Sequence, residues 1–391
     1  MRSAIVHEWL INCAGSERVL EQILACFPES DLFSLVDFLP IKERGCLLNK
    51  PVHTSFLQHL PWSRKWFRKC LPLLTVAVEQ FDLSHHELVI SSSHSVAKGI
   101  ITGPDQLHIC YCHSPMRYGW DQQRQYLEES GLNKGPKSWL ARWMLHNGRL
   151  WDIRTANGVD EFVTNSHFVA RRIWKVYRRR ATVIYPPVDI NSFDLTREKD
   201  NFYVTVSRLV PYKRVGLIVE AFNRMPDKRL VVIGDGPNFK SIRALAGRNV
   251  SMMGFQGFEA MRHYLQRARA FVFAAEEDFG IAMVEAQACG TPVIAFDKGG
   301  ALEIIASDQP EPTGAFFQEQ TPEAIIEAIQ LFERNRGLID PVACRQNATR
   351  FGVDRFRAEF MHFCERAIAE WKAGRTTHSD SHLLQDMAAR V

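Results

Sequence analysis

No apolar run in this chain approaches the roughly 20 residues that a membrane-spanning helix needs. The best run, Cys70 to Val78, is far shorter and is interrupted by Pro72. Met1 leads straight into the strand-like Ala4-Ile5-Val6, so no signal peptide is expected at this start. Cysteine offers no framework either. The nine thiols are scattered and odd in number, which argues against disulfide pairing and predicts reduced, cytoplasmic side chains. Cys110-Tyr111-Cys112-His113 looks like a fragment of a metal site. Adjacent strand residues point to opposite faces, however, and no second Cys/His cluster completes a site. No Asp-x-Asp pair stands out, so neither a metal nor another cofactor is expected. No recognised nucleic-acid module accompanies the basic segments, so nucleic acid is not an expected partner.

What is present fits a soluble globular protein: 391 residues, 46% hydrophobic and 24% charged, enough for two domains. Charge is unevenly spread. Residues 1–187 hold 23 Lys+Arg against 17 Asp+Glu, a net of +6, while the remainder nets −2. The first half is the side expected to meet an anionic partner.

Short apolar runs alternate with helix-forming stretches along the chain. Ser3 to His7, Asp31 to Val36, Glu87 to Ile90, Leu107 to Tyr111, Glu161 to Thr164 and Thr182 to Tyr185 read as strands. After the linker opened by Pro186-Pro187 and closed by Thr196 to Asn201, the alternation restarts at Phe202–Val206. It continues through Leu230–Ile233, Val250–Met253 and Phe271–Phe273. That order predicts an α/β protein of two doubly wound, Rossmann-like domains with parallel sheets. The expected domains are residues 1–187 and 188–352, with an amphipathic helix from Val353 to Lys372 and a polar, flexible tail over 373–391. Trp139, Trp143 and Trp151 form a helical stripe that reads as core packing.

The stretch Ala274 to Ala295 organises the rest. Ala270–Phe273 reads as a strand, Glu276-Glu277-Asp278 as an acidic loop, Ile281 to Cys289 as a helix, and Val293–Phe296 as the next strand. Gly280 lets the loop backbone approach a ligand. Free N–H groups at the helix start can hold phosphate oxygens. Glu285, eight residues after Glu277, can accept the hydroxyls of a ribose. Arg208 and Lys213 follow the first strand of the second domain and can clamp two phosphates. Gly234-Asp235-Gly236 is a tight turn of a common type. Gly254 follows another strand and is expected to meet a base through its backbone.

The Glu277-x7-Glu285 pattern resembles the motif of the family 4 retaining glycosyltransferases. The resemblance covers nearly all of residues 1–372 and implies the GT-B arrangement, two such domains facing a central cleft. It implies that Glu277 lies at the donor sugar and Glu285 at the nucleotide ribose, with Asp278, Phe279, Gly280, Ile281 and Ala282 around the donor. Arg208 and Lys213 fit the family's Arg-x4-Lys spacing. Lys298 to Glu303 is implied to lie near the donor phosphates. Cys13-Ala14-Gly15-Ser16-Glu17 partly matches a Gly-Gly-x-Glu loop, with Gly15 beside the donor and Ala14 where the first glycine would stand. His113-Ser114-Pro115-Met116-Arg117-Tyr118, followed by Trp120-Asp121, resembles bacterial enzymes of surface-polysaccharide (O-antigen, lipopolysaccharide, exopolysaccharide) assembly, many of them mannosyltransferases. His113 is then the first-domain histidine that faces the donor sugar.

Two cation clusters suit an anionic membrane surface. One is Arg64, Lys65, Arg68 and Lys69 among aromatics, followed by Leu71-Pro72-Leu73-Leu74. The other is Arg171, Arg172, Lys175, Arg178, Arg179 and Arg180. The alternative for the first is a solvated basic face with its aromatics tucked into the core. The expected function is retaining transfer of a hexose, mannose from GDP-mannose, to a lipid-linked saccharide, by a cytoplasmic protein peripheral to the inner membrane face. A UDP-sugar donor, a sugar-nucleotide 2-epimerase of the same fold and a non-catalytic nucleotide-sugar-binding protein stay open as alternatives.

Overall fold

The computed structural model describes residues 1–61, 63–67, 71–307 and 309–388. The chain divides into two compact units. One comprises Met1–Asn165, Val169–Ile184 and Phe356–Val391, the other Ser166–Phe168 and Tyr185–Arg355.

Seven strands build the first unit: β1 (Ser3–His7), β2 (Asp31–Ser34), β3 (Val52–Thr54), β4 (Leu88–Ser93), β5 (Leu107–Cys112), β6 (Glu161–Thr164) and β7 (Thr182–Val183). Their order is β3-β2-β1-β4-β5-β6-β7, and every pairing is parallel. β1, β4 and β5 are buried at each position, as strands covered on both faces must be. Successive residues of β1 enter different cores. Ile5 packs with Leu20, Ile23 and Ile109, whereas Val6 packs with Leu71, Leu74 and Val89. The chain runs outward from β1 through β2 to β3, then returns to β4 on the other side of β1. That reversal opens a crevice at the carboxyl ends of β1 and β4.

Six strands build the second unit: β8 (Tyr203–Val206), β9 (Leu230–Ile233), β10 (Val250–Gly254), β11 (Ala270–Phe273), β12 (Val293–Phe296) and β13 (Gly314–Phe317). Their order, β10-β9-β8-β11-β12-β13, is again wholly parallel. Here the reversal lies between β8 and β11. Both units are therefore Rossmann-like α/β sheets, as the alternation predicts.

Three features depart from the expectations. Val188, Ile190 and Phe193, read as linker, are buried in the core of the second unit. The last helix runs from Val353 to Ala388, past the expected end at Lys372. Its Phe356, Phe360, Phe363 and Cys364 pack in the first unit's core. Finally, the tryptophan stripe is not core. In the helix Pro136–Ala156 the buried residues are Ser138, Leu145, Gly148, Asp152 and Ala156, while Trp139 is 79% and Trp143 60% exposed. Only Trp151 packs inward: its Nε1 donates to Glu79 at 2.7 Å, and its ring lies where a side chain at Gly99 would stand.

Candidate functional site

In the second unit the loops leaving β8 and β11 flank the strand reversal, where an open parallel sheet binds ligands. They carry the two oppositely charged groups singled out from the sequence. Lys213 Nζ donates to the Glu277 carboxylate, and both side chains are largely buried. The Lys213 ammonium also lies 5.3 Å from the Phe273 ring centroid and 5.4 Å from that of Tyr212. Arg208 stands exposed on the same loop as Lys213. Gly280 adopts φ +107° and leads into the helix Ile281–Ala288, whose start no side chain caps. Met283 N of that first turn donates to Gly280 O at 2.9 Å, and the amides of Ile281 and Ala282 precede the first intrahelical bond. Glu285 is only 8% exposed. Lys199 anchors the far end of its helix, donating to Gln266 O at 2.7 Å, Cys289 O at 3.0 Å and Thr291 Oγ1 at 2.9 Å. Burial brings the Lys199 pKa down to about 8.

Phe279 is buried against Phe351, with ring centroids 5.3 Å apart. The Asp278 carbonyl accepts from Ser166 Oγ at 2.6 Å, which fixes the acidic loop. Glycines set the loop's depth. A Cβ on Gly299 (φ +75°) would stand 2.3 Å from the Glu277 carbonyl oxygen, and Gly300 N donates to that oxygen at 2.9 Å. Lys298 pairs with Glu276 at 2.9 Å. Glu303 accepts from His167 N at 2.8 Å and Phe168 N at 2.9 Å. The Gly-Asp-Gly turn allows a close approach. A Cβ on Gly234 would lie 1.9 Å from Ser207 O, so the glycine lets the β9 loop press against the Arg208 loop. Gly234 N donates to Gly254 O at 2.8 Å, and Gly254 itself has φ +70°.

In the first unit the crevice between β1 and β4 holds a buried polar chain that the sequence pattern does not reveal apart from His113. His113 Nε2 lies 2.9 Å from Ser92 Oγ, Ser92 Oγ lies 3.1 Å from His7 Nδ1, and His7 Nε2 lies 3.8 Å from Glu17 Oε1. Burial, with His94 and His7 nearby, holds the His113 pKa well below the usual imidazole value, so the ring is neutral near pH 7. Glu17 opens the helix Gly15–Cys26 and accepts from Ala14 N at 3.1 Å and Ser16 Oγ at 3.0 Å. Burial pushes its pKa up, but His7 and these hydrogen bonds prevail and bring it to about 2. Glu8 is wholly buried and accepts from the amides of His94, Ser95, Val96 and Ala97 and from Ser93 Oγ, at 2.7 to 3.1 Å. It clamps the β4 loop by charge-assisted hydrogen bonds. A glutamate directly after a strand was the available signal.

The cation clusters come through in part. Arg171, Lys175, Arg178 and Arg180 are exposed, but Arg172 is not a surface charge. It is buried, with Nε 2.9 Å from Asp121 and Nη1 donating to Ser114 at 3.1 Å. Arg179 is committed to Ala156 O and Asp160 O and lies 5.5 Å over the Phe162 ring. Arg64 is exposed on the short helix Ser63–Trp66, 5.9 Å from the Phe38 ring. Arg68 and Lys69 lie outside the described residues, as does the side chain of Lys65. Phe67, Leu71 and Leu74 are core, so these three side chains do not face a lipid surface. Among the described residues no cluster of His, Cys, Asp or Glu is arranged to hold a metal ion, and no helix is long and apolar enough to cross a membrane.

Residues 24–192 match the family described as Glycosyltransferase Family 4, and residues 189–351 match Glycosyl transferases group 1. The chain is built of two glycosyltransferase-family domains. This glycosyltransferase-family chain is 31% identical over 195 residues to a GDP-mannose-dependent monoacylated alpha-(1-6)-phosphatidylinositol monomannoside mannosyltransferase of Corynebacterium glutamicum, covering 42% of this chain and 51% of that one. It is 29% identical over 164 residues to an uncharacterized glycosyltransferase of Methanocaldococcus jannaschii, covering 40% and 46%. The matches thus span about half the length of these curated relatives. Two solved structures share the fold at low identity. Anabaena HepE in complex with UDP and glucose has a TM-score of 0.66 at 16% identity over 92% of this chain and 99% of that one. Sucrose-phosphate synthase of Thermosynechococcus elongatus has 0.72 at 15% over 94% and 100%.

Proposed function

We propose that this protein is a retaining glycosyltransferase that moves a hexose from a sugar nucleotide to a lipid-linked saccharide in the assembly of a surface polysaccharide. The observation that carries the reading is the meeting of Lys213 and Glu277 at the second unit's strand reversal, next to an uncapped helix start. The reaction is substitution at the anomeric carbon: the bond to the donor's phosphate oxygen breaks, a bond to an acceptor hydroxyl oxygen forms, and that hydroxyl's proton passes to the departing diphosphate. Charge builds on the diphosphate as it leaves. Fixed cations and helix-start amides stabilise that charge more than the ground state, which is how such groups lower a barrier. Lys213, Arg208 and the amides of Ile281 and Ala282 take that role. Glu285 accepts the ribose hydroxyls. Glu277 orients the sugar and is not assigned as a nucleophile: the acceptor attacks the face that the phosphate leaves, which retains configuration.

GDP-mannose is the favoured donor. The His113–Tyr118 segment supports it, as does the GDP-mannose-dependent relative. A UDP-sugar is the second reading, because a solved neighbour of the same fold holds UDP and glucose. The acceptor's lipid places the protein at an anionic membrane surface, which the exposed cations of the first unit suit. A thermal-shift panel of GDP, UDP and their sugars tests the donor, since a ligand held by the folded state raises Tm by mass action. GDP and GDP-mannose should give the largest shifts. Stabilisation by UDP compounds alone would move the assignment to the second reading, and no shift with any of them would remove the nucleotide-sugar site.

A further inference from the structure

We infer that the outward face of the helix Pro136–Ala156 is a docking surface for an anionic lipid bilayer. The inference deepens the reading of a lipid-linked acceptor, but it rests on a different element from the donor site. This helix is apolar on two sides and buries only one. Against the first unit it turns Ser138, Leu145, Gly148, Asp152 and Ala156. Away from it stand Trp139 (79% exposed), Trp143 (60%), Leu150 (57%) and Ile153 (42%). Their spacing of four, seven and three residues keeps them within one stripe of a helix, roughly 20 Å long at about 1.5 Å per residue. Isolated exposed apolar residues need no explanation, but a stripe led by two tryptophans, interrupted only by the exposed His146, marks a contact surface.

Charge selects the occupant. Residues 134–154 carry Lys134, Lys137, Arg142, Arg149 and Arg154 against one acid, Asp152. Asp152 is wholly buried and paired with Lys98 at 2.7 Å, so it adds no negative charge to the face. Lys134, Lys137 and Arg142 lie on or beside this helix and are exposed, and Arg154, exposed as well, is paired with Glu79. A basic rim around exposed indoles fits a layer that is anionic at its surface and apolar beneath. Tryptophan prefers that boundary, and each cation near it contributes about 1 kcal/mol. A second copy of this chain is a poorer partner, because a two-fold pairing through this stripe would set like charges against one another.

The test is sedimentation of the full chain with vesicles of phosphatidylcholine, with and without phosphatidylglycerol, in the absence of donor and acceptor. The expected result is pelleting that needs the anionic lipid and weakens with salt. The Trp139→Ala/Trp143→Ala double variant should partition at least about tenfold less, since burying one large apolar side chain is worth that much or more. Both positions are exposed, so the variant should keep its circular dichroism and Tm. Lys134→Gln/Lys137→Gln should weaken pelleting while leaving these too unchanged. Double-variant pelleting equal to wild type, pelleting indifferent to anionic lipid, or a wild-type dimer that the tryptophan substitutions dissociate would each overturn the inference. Because no transfer is measured, such a failure would leave the proposed chemistry standing. Loss of transfer activity would likewise leave this surface untouched.

Discussion

The ammonium of Lys213, carried beyond β8, is hydrogen-bonded to the carboxylate of Glu277, carried beyond β11. The cation and the acid thus hold each other in place. In the proposed reading a donor parts this pair, taking the lysine with its phosphates and the carboxylate with its sugar.

Replacing Lys213 removes a charge contact and leaves Glu277 without its cation. Lys213→Ala and Arg208→Ala should each lower turnover at least about tenfold, because one transition-state charge contact is typically worth a few kcal/mol. Near-normal activity in both purified, folded variants would remove the phosphate assignment.

Glu277→Gln separates the two roles. With the carboxylate gone, Lys213 is released to the phosphates. Binding of the nucleoside diphosphate should hold or tighten by calorimetry, while transfer falls about a hundredfold or more. Diphosphate affinity lost in parallel with transfer would show that Glu277 acts only by supporting the fold of its loop.

Stability should fall as pH drops below about 6.5. His113 and His94 have pKa values lowered by burial, and burial lowers that of His108 to about 4. A base lowered in the folded state takes up its proton first in the unfolded chain. Each such histidine therefore costs about 1.4 kcal/mol per pH unit, from the unfolded pKa down to its folded one. Glu17, lowered to about 2, adds its own loss below about 4.5. Urea midpoints should be nearly level from pH 7.5 to about 6.5 and decline from there to pH 5, and a flat profile throughout would contradict the burial of these rings as neutral species.

Transfer should persist in excess EDTA, because the cations assigned to the leaving diphosphate are Lys213 and Arg208. Loss of activity that Mg²⁺ or Mn²⁺ restores would overturn that assignment.

Much of the second unit's site was legible in the sequence because its residues sit at strand ends, and strand ends follow from short apolar runs. The pairing of Lys213 with Glu277 was not legible. They lie 64 residues apart, and only the adjacency of β8 and β11 joins them. The His113–Ser92–His7–Glu17 chain was hidden likewise, since it needs β4 to lie between β1 and β5. The tryptophan stripe misled because periodicity gives a helix face but not its direction, and this helix has apolar residues on both sides. Arg172 misled because a run of cations reads as surface, while its position on the helix turns it inward to Asp121.

The most direct test of the central claim is NMR of the products formed from GDP-mannose and a lipid-linked acceptor extract. The account predicts release of GDP with an α-mannoside. A product built only from a UDP-sugar would discard mannose and keep the mechanism; a β-linked product, or hydrolysis without transfer, would contradict retaining glycosyl transfer itself.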